Sequence, residues 1–238
     1  MKPLFCSLLL LLAFSLNAQA PEAVPLKREP HHHLVLENDY VRVFRVSVPA
    51  HAATLLHQHD VPYLYISLGP ADVVNAVQGR PEARIVMADG QVGYSPGHFA
   101  HIARTDAGST FDNVTIELLK PQIFPHNVCA PVMSSGFAAC DPMAKARYVM
   151  ETQFATTEMD VNLGWLVPKA RHEEITKLPV LVVGTGDCQI KLSVKGKPMK
   201  ILREGEVAWF DAGSRVRFSN VGAKTGRYLE LNFKDATN

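Results

Sequence analysis

The chain has 238 residues, 47% apolar, 8% aromatic and 20% charged. That composition excludes a disordered, collagen-like or coiled-coil chain and fits one large or two small domains. Twenty-four Lys and Arg against 23 Asp and Glu give a formal net charge of +1, without the basic surplus a nucleic-acid binder needs to neutralise phosphates.

Residues 1–20 read as a signal peptide. Lys2 is the sole charge before Glu22, Leu4 to Leu16 is a largely apolar run, and Ala18-Gln19-Ala20 closes it with small residues. The run is too short to span a bilayer comfortably. A periplasmic or secreted protein is therefore expected, with an uncleaved anchor as the alternative and no other membrane association. In an oxidising compartment Cys129 and Cys140 can close a small loop across Ala130 to Ala139, worth about 2–3 kcal/mol in the chain-entropy picture. Cys188 is then left as a buried strand thiol. No Cys-x-x-Cys pair occurs, which argues against a cysteine zinc site or a redox motif.

Residues 21–34 form a Pro-rich, charged lead-in that includes His31-His32-His33, read as an exposed strand start with a metal role as the alternative. From Leu34 the pattern alternates, and Tyr40–Val48 is a period-2 strand. Further strand-like runs cover Tyr63–Leu68, Asp72–Val77, Ala83–Met87, Gln91–Ser95 and Val114–Leu119, separated by Gly-Pro, Asp-Gly and Pro-Gly turns. Short strands at this spacing suggest a sandwich or barrel. Residues 121–157, with four prolines, two cysteines and a weakly helical stretch near Met143–Met150, read as a connector. Strand patterns resume at Leu163–Val167, Pro179–Val183, Gln189–Val194, Val207–Phe210, Arg215–Phe218 and Tyr228–Phe233.

A faint internal repeat links the two halves. Counted back from Gly69 and Gly184, His57 falls opposite His172 and His59 opposite Glu174; later, His101 falls opposite Val216. The second copy keeps the turns and loses the histidines. Trp165 and Trp209 are most simply core aromatics. No phosphate loop or dinucleotide glycine pattern is present.

The histidines of the first copy carry the chemistry. On a strand, His57 and His59 point to one face with Cα atoms roughly 6.5–7 Å apart, a spacing at which two imidazoles can chelate one divalent ion. Further on, Gly90-x5-Pro96-Gly97-His98-Phe99-Ala100-His101 places another His on a later strand after a Pro-Gly turn. Closing the sheet would bring His101 to the first pair and make a three-nitrogen set with positions open for water or substrate.

These two segments resemble the motifs of the cupin superfamily. The first cupin motif runs Gly, His-x-His, a Glu three or four residues on, then Gly; His57, His59 and Gly69 match, and Tyr63 stands where the Glu is expected. The second runs Gly-x5-Pro-x-Gly-x2-His-x3-Asn; Gly90, Pro96 and His101 match in register, His98 replaces the Gly and Thr105 the Asn. The resemblance covers residues 35–119 well and 160–234 weakly. It implies an all-β bicupin: two cupin-type barrels (double-stranded β-helix, or jelly-roll), a metal-binding unit over 35–120 and a degenerate unit over 158–238, joined by the Pro- and Cys-containing connector.

The resemblance also implies one divalent transition metal on His57, His59 and His101, iron first, with Mn, Ni, Cu or Zn as alternatives. Without the Glu, three neutral imidazoles leave the site at the ion's full charge. Tyr63 shares the strand parity of the histidines, so its phenol can ligate, donate to a bound oxygen, or pack; Tyr65 shares that parity and can line the pocket. His98 is either an outer partner that orients water or a turn residue on the rim. Tyr63 and His98 are the candidate catalytic residues. The expected function is an exported metal-binding cupin acting on a small molecule, dioxygenase-like by similarity to three-His thiol and diketone dioxygenases, with isomerase, decarboxylase or lyase chemistry open on the same scaffold. The alternative is a non-catalytic small-molecule or metal-binding module. Edge strands leave a homo-oligomer possible.

Overall fold

A computed structural model describes residues 22–106, 108–129 and 146–234; the expected signal peptide and Cys140 lie outside this range. Among the described residues there is no α-helix, only a 3-10 turn at Leu26–Arg28 and a succession of strands. In the first half these are β1 (Val24–Pro25), β2 (His32–Glu37), β3 (Val41–Val48), β4 (His57–His59), β5 (Tyr63–Ser67), β6 (Ala71–Val77), β7 (Ala83–Met87), β8 (Val92–Ser95), β9 (Phe99–Arg104) and β10 (Phe111–Leu118). The second half holds β11 (His126–Asn127), β12 (Tyr148–Ala155), β13 (Met159–Leu166), β14 (Arg171–Ile175), β15 (Val180–Thr185), β16 (Gln189–Val194), β17 (Lys200–Arg203), β18 (Val207–Phe210), β19 (Arg215–Asn220) and β20 (Gly226–Phe233).

Each half is a pair of sheets. The first has orders β1-β4-β9-β6-β7 and β2-β3-β10-β5-β8; the second has β11-β12-β13-β20-β15-β18 and β14-β19-β16-β17. Strand parity decides what each face meets. In β3, Val41 and Val43 face the second half, while Phe44, Val46 and Val48 face the interior of the first. The same alternation sends Leu64, Ile66, Val114 and Ile116 outward, against Val161, Leu181, Leu229 and Leu231 of the second half. This sheet is therefore buried on both faces, which explains the adjacent apolar pair Val43-Phe44 in an otherwise alternating strand. The join is reinforced by Tyr40 against Trp209 (ring centroids 5.5 Å apart) and by Arg227 Nη2 donating to Asp89 Oδ2 at 2.7 Å. Trp165 and Trp209 pack against this core, as the sequence suggested.

Three expectations are corrected. The lead-in belongs to the first unit: β1 pairs in parallel with β4, Val24 opposite His57, and so covers the edge of the histidine strand. The expected connector contains β11 and β12, and the weakly helical stretch ends in strand, because Tyr148 and Met150 pack against the second core and packing overrides a weak propensity. The repeat counted from the glycines does not agree with the strand pairing. His57 pairs with His101, whereas His172 pairs with Phe218 and Val216 with Glu174, so the match of His57 with His172 and that of His101 with Val216 do not hold together. Gly69 lies beyond the end of β5 while Gly184 lies inside β15, so the two glycines do not mark the same place relative to a strand end. Cys129 is disulfide-bonded, and Cys188 is a free, buried thiol.

Candidate metal centre

The site lies between the two sheets of the first unit. β4 is only three residues long, and its alternation turns both His57 and His59 inward. β9 runs antiparallel beside it with His101 directly opposite His57. The approach to β9 depends on Gly97, whose φ is +71° and where a Cβ would sit 2.1 Å from the Val61 carbonyl oxygen, a position only glycine can hold. Next to it, the His98 amide donates to the His59 carbonyl at 2.6 Å and ties the turn to β4.

The three rings converge. Centroids are 4.4 Å apart for His57 and His101, 5.1 Å for His59 and His101, and 5.2 Å for His57 and His59. One nitrogen from each lies within 4.8 Å of the others, and all three residues are buried. Outer hydrogen bonds choose the nitrogens. His57 Nδ1 pairs with the Leu55 carbonyl at 2.8 Å and His101 Nδ1 with Asn75 Oδ1 at 2.6 Å. A ring that donates through Nδ1 presents the Nε2 lone pair to the cavity. His101 Nε2 and His59 Nδ1 are buried with no hydrogen-bond partner, a costly arrangement unless something else takes those lone pairs.

Burial, followed by the neighbouring imidazole rings, pushes His57 down to about 4 and His101 to about 3, and holds His59 well below its ordinary value. All three are neutral near pH 7, the form that binds metal. The unpaired nitrogens, their neutrality and their spacing fit a divalent ion held by three imidazoles.

Around the cluster is a cavity of about 300 Å³, lined by Val46, Val73, Ile85, Met87, Phe99 and Phe111 and by polar Asn75, Asn113 and Thr115, with Arg80 the single Lys or Arg and no carboxylate among its lining residues. Tyr63 and Tyr65 line it from β5, a strand of the opposite sheet, so it is the alternation of β5 and not a parity shared with the histidine strand that brings them there. Tyr63 stacks on His59, centroids 4.0 Å apart at 17°, and its hydroxyl bonds Ser95. Burial raises its phenol well above the ordinary range, so it stays protonated. The other catalytic candidate, His98, is not brought to the cluster: it is exposed, at φ +61°, and does not line the cavity.

One contributor is not singled out by the sequence, which holds a metal role for its run only as the alternative. His32, expected at an exposed strand start, is buried, lines the cavity and lies 4.8 Å from His57. The signal lay in Glu29-Pro30-His31-His32, whose spacing across the turn after Leu26–Arg28 lets Glu29 bond His32.

No protein-family model matches the sequence, and no curated protein does. Solved structures do match. A cupin 2 conserved barrel domain protein from Leptotrichia buccalis superposes with a TM-score of 0.57 at 12% identity, over 85% of this chain and 88% of that one. The salicylate 1,2-dioxygenase from Pseudaminobacter salicylatoxidans gives 0.58 at 9% identity, over 85% of this chain and 76% of that one. An oxalate decarboxylase gives 0.55 at 10% identity, over 87% and 76%. Identities this low speak to fold alone. With its paired sheets and its converging histidines, this chain has the cupin fold.

Proposed function

We propose that the protein is an exported, metal-dependent enzyme of dioxygenase type that acts on a small molecule, with His57, His59 and His101 as the ligands of one divalent ion, iron first. The observation that carries this reading is the buried, neutral three-imidazole cluster with unpaired nitrogens at the wall of a mostly apolar cavity. The salicylate 1,2-dioxygenase among the similar folds supports the chemistry by analogy. Export is supported by the leader-like first twenty residues and by the disulfide at Cys129, a bond typical of oxidising compartments.

When bound, such an ion supplies Lewis acidity and a common attachment point for reactants. The chain's own residues do the rest. Asn75 and the Leu55 carbonyl fix two of the rings. Tyr63 clamps the third and keeps a proton on its oxygen, available as a hydrogen-bond donor. The apolar walls exclude bulk water, which strengthens every polar contact inside. His98 acts at the rim through its backbone, by holding the turn that aims β9.

The test is the metal content of the mature protein as purified, together with oxygen uptake on a panel of thiols, diketones and phenols. About one divalent ion per chain, lost in His101→Ala, and turnover of a panel member are expected. Tight ligand binding without turnover under any metal overturns the enzyme reading in favour of a binding module.

A further inference from the structure

The cluster has a second layer that begins outside the histidine strands. Glu29 is 1% exposed and His32 is 8% exposed. Glu29 Oε2 accepts from His32 Nδ1 at 2.5 Å and from the His31 amide at 2.8 Å, while Oε1 accepts from the Leu55 amide at 3.1 Å. The carbonyl of the same Leu55 holds His57 Nδ1. One buried carboxylate therefore anchors both His32 and Leu55, the residue whose carbonyl orients His57. Burial opposes ionisation of Glu29, but the hydrogen bonds from His32 and from the Leu55 amide outweigh it and hold the carboxyl below its ordinary value. His32 itself stands 4.8 Å from His57 and 6.5 Å from His59, beside the three-nitrogen group and not within it.

Charge makes this pair matter. The three ligand rings are neutral, Tyr63 stands in the position where a ligand carboxylate would be expected, and no carboxylate lines the cavity. A divalent ion there would carry its full charge in a low-dielectric interior, which is costly without a nearby anion. We propose that Glu29, acting through His32, is the charge-balancing and positioning carboxylate of this metal centre, contributed by the N-terminal segment in place of an acidic residue on the ligand strand. The proposal rests on the metal reading above. Glu29 touches no ligand ring, so it acts by its fixed charge and by the two hydrogen-bond paths to His32 and Leu55.

The test uses Co²⁺ as the probe ion on the apoprotein, with affinity read by competition against a chromophoric chelator and coordination read from the visible spectrum. Glu29→Gln keeps the size and removes the charge. It is expected to weaken Co²⁺ binding by about 10- to 100-fold, the range found for outer partners of metal ligands, with band positions unchanged because His57, His59 and His101 remain. Glu29→Asp restores the charge and is expected to recover part of the loss. Should Glu29→Gln fail to fold, His32→Gln breaks the same link from the other side and is expected to weaken Co²⁺ binding likewise. A purely structural Glu29 predicts something else: a lower unfolding temperature for the apoprotein with Co²⁺ affinity within twofold of the parent, and that result overturns the proposal. Shifted bands in His32→Gln also overturn it, because they make His32 a ligand. No Co²⁺ binding by the parent protein instead overturns the metal reading itself, so the two failures are distinguishable.

Discussion

Asn75 Oδ1 lies 2.6 Å from His101 Nδ1, and this contact decides which nitrogen His101 turns to the cavity. Asn75 comes from β6, which pairs with β9, so the contact is set by sheet register and not by a flexible loop. Asn75→Leu leaves Nδ1 without its partner and lets the ring adopt either tautomer. The expected outcome is a 10- to 100-fold loss of divalent-metal affinity with little change in the far-ultraviolet spectrum. Chelator competition measures it, and an affinity equal to that of the parent would show that register alone holds the ring.

Tyr63 separates stacking from hydroxyl chemistry. Tyr63→Phe keeps the ring on His59 and removes only the oxygen, so metal content and fold are expected to persist while turnover falls. Tyr63→Leu removes the stack and leaves a gap in a position that is 6% exposed; a destabilisation of about 2–4 kcal/mol is expected, with weaker metal retention. Denaturant unfolding and metal analysis of the pair check this. Equal turnover in the parent and Tyr63→Phe removes the phenol from the chemistry.

Much of this arrangement is legible in the sequence, for a physical reason: strand parity is a local property. Tyr63 and Tyr65 line the cavity because β5 alternates, with Leu64 and Ile66 on its other face, and His101 arrives opposite His57 because a Pro-Gly turn restarts the strand. What the sequence hides is non-local. β12 carries no strong strand signal, yet it pairs with β13 over its length because Tyr148 and Met150 bury on the second core. β17, Lys200–Arg203, has charged ends that disguise Leu202, which is fully buried. His32 is hidden by its neighbours: His31 and His33 suggest an exposed polar run, and only the turn that brings Glu29 beneath the ring buries it. Counting from Gly69 and Gly184 puts His57 opposite His172 and His101 opposite Val216, a combination the strand pairing does not allow, since register is fixed by pairing and not by residue type.

The shared core predicts cooperative unfolding. Leu181 is fully buried in a cluster built from both halves, beside Ile66, Val114 and Leu229. Leu181→Ala is expected to cost about 2–5 kcal/mol and to lower the stability of both halves together, in one calorimetric transition. Two resolved transitions, with the first-half signal unmoved, would show that the halves melt independently.

Glu230 makes the stability of the second half depend on pH. It sits in β20, is 3% exposed, and has Oε1 buried without a partner. Burial, reinforced by nearby Glu174, raises its carboxyl to about 8; Tyr148 and Tyr228 also face the group, and both are themselves raised by burial and by Glu230. The folded state therefore holds a proton that the unfolded chain releases near 4.5. Stability falls wherever the native state binds more protons, so this contribution is fully present below about pH 4.5 and is lost as the pH rises towards 8, above which the native protein must carry an unpaired interior charge. Glu230→Gln, which cannot ionise, removes that slope. Thermal melts at pH 5, 7 and 9 are expected to show the parent losing stability relative to Glu230→Gln across this range, the gap opening from pH 5 to pH 8 and levelling beyond it. Because other groups titrate equally in both proteins, their effects cancel in the difference, and parallel melting curves for the two proteins would place the Glu230 carboxyl back in the ordinary range.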